Sequence, residues 1–192
     1  MMGMDSRFYE LMESNPVIAA VKDEEGLEAC CAKEDIKVVF ILYGDICNLK
    51  DIVSRLHKAG KTAIVHIDLI AGISGKEIAV QFVKETAGAD GIITTKPLLI
   101  RKAKSIGMYA VLRVFMLDSL ALETLQHQVA TARPDVIEVL PGLMPKIIHK
   151  VVKMTRIPVI AGGLVSEKED VVEALNAGAV SVSTTNRKVW DM

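Results

Sequence analysis

From residue 157 to 187 the chain reads I-P-V-I-A-G-G-L-V-S-E-K-E-D-V-V-E-A-L-N-A-G-A-V-S-V-S-T-T-N-R. Two short apolar runs in it, 159–161 and 179–183, each empty into a segment of small residues. The first is Gly162-Gly163 and the second Thr184-Thr185-Asn186. Glycine lets a backbone approach an anion closely, and N–H groups near a helix start favour negative charge. Hydroxyls and a carboxamide add further donors. If the two runs are neighbouring strands, their ends form a cradle for a phosphate. A tight turn is the other account of the glycine pair; the Thr-Thr-Asn ending beside it favours the anion.

Other polar residues stand where apolar runs finish. His66 and Asp68 are two apart, which strand alternation puts on one side. Lys96 follows Thr94-Thr95, and Arg113 and Glu138 lie inside apolar runs. A charge within such a run is costly unless paired, so Arg113 and Glu138 either pair with each other or meet a polar ligand. His66 is a core histidine or a ligand contact, Asp68 a loop cap or a partner for hydroxyls. Lys96 is solvated or reaches a phosphate or carboxylate. As an enzyme, the chain offers His66 or Asp68 as general base beside a sugar phosphate, in the manner of an isomerase or aldolase. The sixth run carries Glu138 and no lysine, which disfavours a Schiff base on that strand. The remaining histidines, His57, His127 and His149, fall on helical segments, so no metal site is expected. No Ser-His-Asp or Cys-His arrangement is legible. The set is equipped to bind, with no catalytic residue and no cofactor expected.

The elements that position these residues follow from punctuation. Apolar runs recur at 17–21, 38–42, 63–67, 91–94, 109–114, 136–140, 159–161 and 180–183, roughly 23 residues apart. The segments between them carry helix signals: Asn48 before a stretch ending at Gly60, Ser74 with Glu77 before Gly88, and Ser166 with Glu169 before Gly178. Pro97 and Pro145 suit first turns, and Asp118 suits a cap. Residues 5–13 read as a further short amphipathic helix. Strict alternation over eight repeats predicts an α/β chain, a TIM-like (β/α)8 barrel in one domain over residues 1–192. Few residues follow the eighth run, so the last helix must be stunted. Val189 and Trp190 should close that corner or meet a partner subunit. No G-x-G-x-x-G follows the first run, against a dinucleotide fold.

The chain has 192 residues, 51% hydrophobic and only 4% aromatic, the usage of strands covered on both faces. Its formal charge of −1 gives no global attraction to nucleic acid or an anionic membrane. Three cysteines form neither a disulfide framework nor a zinc spacing, and no secretory or membrane-spanning segment is legible. A cytoplasmic location is expected.

Several stretches together resemble the glycerol-3-phosphate-responsive antiterminator family, the glycerol uptake operon regulators. They are H-I-D-L-I-A-G-I-S-G (66–75), A-D-G-I-I-T-T-K-P (89–97), L-R-V-F-M-L-D-S-L-A-L (112–122), P-D-V-I-E-V-L-P-G-L-M-P-K (134–146), I-A-G-G-L-V (160–165) and V-S-T-T-N-R-K-V-W (182–190). The resemblance spans nearly the whole chain. It implies a sensor of glycerol 3-phosphate that acts on leader mRNA of glycerol-utilisation genes, without turnover. Gly162, Gly163, Thr184, Thr185 and Asn186 would then hold the phosphate, and His66, Asp68, Lys96, Arg113 and Glu138 the glycerol end. For RNA, two basic clusters are candidates, Arg101, Lys102 and Lys104, and Lys146, Lys150, Lys153 and Arg156; a solvated helix face is the plainer account of each. A homodimer would double either patch.

Overall fold

Parallel strands and helices alternate through the chain because each apolar run is cut by a turn residue and followed by an amphipathic segment. The computed structural model describes residues 6–191. The strands are β1 (Val17–Val21), β2 (Val38–Ile41), β3 (Thr62–His66), β4 (Gly91–Thr94), β5 (Tyr109–Phe115), β6 (Val136–Leu140), β7 (Val159–Gly162) and β8 (Ser181–Thr184). The helices are α1 (Ser6–Ser14), α2 (Glu24–Cys31), α3 (Leu49–Lys58), α4 (Glu77–Glu85), α5 (Pro97–Ser105), α6 (Ser119–Ala132), α7 (Pro145–Thr155) and α8 (Lys168–Asn176). The strands close in sequence order, β8 pairing back to β1, into a TIM-like barrel. Where a final helix would stand there is one 3-10 turn, Val189–Asp191. Its Trp190 is buried in this chain's own outer layer and donates from Nε1 to the Thr184 carbonyl at 2.9 Å. The short last element therefore closes the corner from within.

Strand parity sorts the core into two layers. Ile18, Phe40, Ile64, Ile93, Val111, Val136 and Ile160 fill the barrel. Their neighbours, among them Ala19, Val39, Val65, Ile92, Leu112, Ile137 and Val182, face the helices. The helix before the first strand has a purpose beyond entry. Its Phe8 and Met12 are fully buried and plug the N-terminal end of the barrel, with Phe8 stacked on Tyr109 at 4.3 Å between centroids. Burying one such ring is worth about 2–3 kcal/mol. The expected start of this helix at residue 5 lies outside the described residues.

Helix starts follow the expected punctuation in part. Pro97 and Pro145 occupy first turns, and Asp118 accepts from the Ala121 N–H at 2.8 Å. Asn48 marks the start of α3, but its side chain accepts from the Asp45 N–H instead of capping the helix. The Ser74–Glu77 box does not form, because α4 starts at Glu77 after the N-cap Lys76. The Ser166–Glu169 box is replaced by Asp170, whose carboxylate accepts from the Ser166 and Glu167 N–H groups at 2.8 and 3.0 Å. No helix among the described residues is long and apolar enough to cross a membrane.

Candidate functional site

The C-terminal ends of the strands form the barrel mouth, and parity decides what faces it. Arg113 is registered against Glu138, and Gly162 against Ser183. Arg113 Nε donates to Glu138 Oε2 at 2.6 Å, and Ser183 Oγ to Oε1 at 2.5 Å. Glu138 is fully buried. Gly162 is what makes room: a Cβ there would lie 2.6 Å from both Glu138 Oε1 and Ser183 Oγ. Ser183 was not among the residues expected from sequence. Its signal was available, since it stands two after Ser181 on β8 and alternation gives both hydroxyls one face.

His66 ends β3 on the same inner face, 3% exposed. Its Nδ1 is the buried side-chain polar atom left without a hydrogen-bond partner among the described residues. Burial, aided by the Arg113 charge, pushes its pKa down to about 4, so the ring is neutral at physiological pH. An unsatisfied polar atom of this kind costs about 1–3 kcal/mol. A ligand hydroxyl, which both donates and accepts, would satisfy either tautomer.

The loops after β7 and β8, expected to form the cradle, are stitched side by side. Gly142 N–H donates to the Gly163 carbonyl at 3.0 Å, Thr184 Oγ1 to the Val165 carbonyl at 2.7 Å, and Asn186 Nδ2 to the Ser166 carbonyl at 3.0 Å. These bonds change two assignments. Thr184 faces the outer layer, so its hydroxyl braces the loop after β7 and does not reach the mouth. The Asn186 side chain serves the same bracing. The helix-start amides of Ser166 and Glu167 are already taken by Asp170. The Gly163 N–H ends the β7–β8 ladder beside Ser183, whereas the amides of Leu164, Thr185 and Arg187 find no acceptor among the described residues. Gly163 and Leu164 both have left-handed backbone, φ 76° and 65°. For the exposed Leu164 that conformation is a strained one, of the sort that gathers at ligand-binding loops.

Asp68 does not share a face with His66, because the strand gives way to a 3-10 turn over Ile67–Leu69. Its carboxylate turns toward the end of β4, accepting from Thr94 Oγ1 at 2.8 Å, Thr95 N–H at 3.1 Å and Lys96 Nζ at 2.9 Å. Burial raises its pKa, but these donors outweigh it and hold the carboxyl below its usual value. Lys96 is thus engaged with Asp68. Beside the mouth, Thr95, Arg113, Phe115, Asp118 and Leu120 line a cleft of about 340 Å³, at the small end of ligand sites. Among the described residues no three His, Cys, Asp or Glu side chains could share a metal ion.

The basic residues are dispersed differently from the sequence grouping. Lys146 lies with His149 and Glu173 between α7 and α8. Arg101, Lys104 and Arg156 meet in a groove at the opposite pole of the barrel. Lys102, Lys150 and Lys153 do not line that groove.

A family profile described as glycerol-3-phosphate responsive antiterminator matches residues 17–190. The Escherichia coli (strain K12) "Uncharacterized protein YgcP" is 44% identical over 182 residues, 95% of each chain. The glycerol uptake operon antiterminator regulatory protein of Listeria monocytogenes str. 4b F2365 superposes with a TM-score of 0.89 at 33% identity, over 92% of this chain and 95% of that one. A glycerol uptake operon antiterminator-related protein of Thermotoga maritima MSB8 gives 0.82 at 42%, over 92% and 98%. A deoxyribose phosphate aldolase of Aeropyrum pernix, 18% identical with a TM-score of 0.70, over 91% and 87%, shares the fold.

Proposed function

The chain belongs to the glycerol-3-phosphate responsive antiterminator family, and from that premise we propose that it binds glycerol 3-phosphate at the barrel mouth. Once occupied, it binds leader mRNA of glycerol-utilisation genes and prevents early termination. The observation that carries the effector half is the unsatisfied Nδ1 of His66, in a mouth where both oxygens of Glu138 are already taken by Arg113 and Ser183.

Electrostatics orients the ligand. A dianionic phosphate is repelled by the Glu138 carboxylate and favoured by open amides, so it lies toward Leu164, Thr185 and Arg187. The glycerol hydroxyls then point to His66 and Arg113, whose guanidinium still has N–H groups beyond the Nε bond to Glu138. The effector acts by linkage: it must bind the RNA-competent state better than the other, or it switches nothing. The reading involves no turnover and no further cofactor. A homodimer belongs to it, since a chain of net charge −1 gains RNA affinity by presenting its basic surface twice.

Thermal unfolding with glycerol 3-phosphate, glycerol and inorganic phosphate tests the effector site. At a concentration of about 100 Kd, a ligand specific to the folded state adds about 2.7 kcal/mol. Glycerol 3-phosphate should shift the midpoint well beyond the other two; equal shifts from inorganic phosphate would leave only a generic anion site. Turnover of triose or pentose phosphates would replace the sensor by an enzyme.

A further inference from the structure

At the pole opposite the mouth, the end of α5 and the turns leading into β6 and β7 enclose a groove of about 1050 Å³. Arg101, Lys104, Arg133, Asp135 and Arg156 supply its charges. Arg55, Arg113 and Arg187 are held by carboxylates elsewhere in the fold. Arg101, Arg133 and Arg156 are exposed and meet no carboxylate among the described residues, and all three line this groove. Lys104 alone is tied, to Asp135, whose other oxygen accepts from the Ala110 N–H at 3.0 Å.

The backbone adds a second observation. The helix ends before β3, β4, β5 and β8 place glycine in left-handed conformation, at Gly60, Gly88, Gly107 and Gly178. Before β6 and β7 the same step is taken by Arg133 (φ 51°) and Arg156 (φ 56°). A long side chain there carries a steric penalty that glycine avoids. Two adjacent turns thus accept arginine at positions where four other helix ends use glycine, and both line one groove.

We propose that this groove grips the sugar-phosphate backbone of RNA. The inference rests on the antiterminator reading above and gives its nucleic acid a place. Guanidinium forks match phosphate oxygens. An acidic protein partner fits less well, because stable protein interfaces need large apolar anchors. None of the exposed large hydrophobics, such as Phe115, Leu117 and Leu164, lines the groove. No aromatic side chain lines it either, so this contact holds the strand without reading bases. The groove is also joined to the effector site through β6. Asp135 immediately precedes that strand and Glu138 is three residues on, about 10 Å away. Asp135 holds the Ala110 N–H of β5, the strand that carries Arg113.

The test uses the double variant Arg133→Gly/Arg156→Gly, which removes two charges while giving each turn the residue its backbone favours. Binding of a fluorescein-labelled, mixed-sequence single-stranded RNA of about 20 nucleotides, longer than one single-strand site, is measured with glycerol 3-phosphate present across a range of salt. Two lost phosphate contacts should weaken binding and lower the log–log salt slope by roughly 1.4. The melting temperature should hold or rise, and the glycerol 3-phosphate shift should be unchanged. Arg101→Gln, on a different element, should lower the slope by roughly 0.7. A wild-type slope in both variants removes the groove and leaves the antiterminator reading standing. Failure of the wild-type protein to bind RNA, with or without effector, overturns both. Tighter binding of polyglutamate than of RNA reassigns the groove to an acidic protein.

Discussion

Arg113 Nε lies 2.6 Å from Glu138 Oε2, a charged pair at register-opposed positions inside the barrel wall. Ser183 Oγ holds the other carboxylate oxygen, so both oxygens of the buried Glu138 have a donor. The arrangement fixes the guanidinium without consuming all its donors. That suits a group meant to meet a small polar ligand.

The pair should therefore be expensive to break. Glu138→Ala leaves a guanidinium desolvated without a counter-charge, and about 3–5 kcal/mol of stability should be lost. Glu138→Gln, which keeps the shape, should lose less. Urea unfolding of both variants provides the measurement. A loss under about 1 kcal/mol for Glu138→Ala, the range of exposed pairs, would mean water screens the site.

Gly162 should tolerate no side chain. The methyl of Gly162→Ala would sit 2.6 Å from Glu138 Oε1 and Ser183 Oγ, and relief requires moving a buried carboxylate. Overpacking of this kind costs about 1–3 kcal/mol. The effector response should be lost with it, read as disappearance of the glycerol 3-phosphate melting shift. Wild-type stability together with a full shift would show that the mouth is slack.

His66 sets a pH window. Its folded pKa of about 4 lies below the ordinary 6.5, so the unfolded chain binds the extra proton between those values. Stability is then full above pH 6.5 and falls as pH drops toward 4, by about 3 kcal/mol for this group. His66→Gln should flatten the profile over that interval. Thermal unfolding of both proteins from pH 7.5 to 4 measures it. Parallel curves would remove the histidine from the titration.

Much of this was legible in the chain. The eight runs, the glycine stops and the prolines at first turns each depend on local backbone chemistry, and they placed the elements. Arg113 and Glu138 were legible because charge inside an apolar run demands a partner. What escaped depended on one-residue phase. Strand alternation turns Thr184 outward and Ser183 inward, and a slip of one position exchanges them. The boxes at Ser74 and Ser166 failed because several nearby carboxylates and hydroxyls can cap one helix start, and tertiary contacts choose among them. Arg133 and Arg156 gave no sign of left-handed backbone, since that conformation is imposed by the turn and not by arginine.

Lys96 provides the last prediction, because it can be asked which partner it serves. Its ammonium is half-exposed and 2.9 Å from Asp68, which also receives Thr94 and Thr95. We expect Lys96 to brace the ends of β3 and β4 and not to carry the phosphate, which the open amides across the mouth receive. Lys96→Met should then cost at most about 1 kcal/mol, as for other exposed pairs, and leave glycerol 3-phosphate affinity nearly unchanged. Asp68→Asn should cost more, since it weakens three hydrogen bonds to one carboxylate. Because the Asp68 pKa is held below its ordinary value, its contribution is present above that value and disappears as pH falls through the lowered one. Isothermal titration of the Lys96→Met protein decides the assignment: a tenfold or greater loss of affinity, about 1.4 kcal/mol, would move Lys96 from the brace to the ligand.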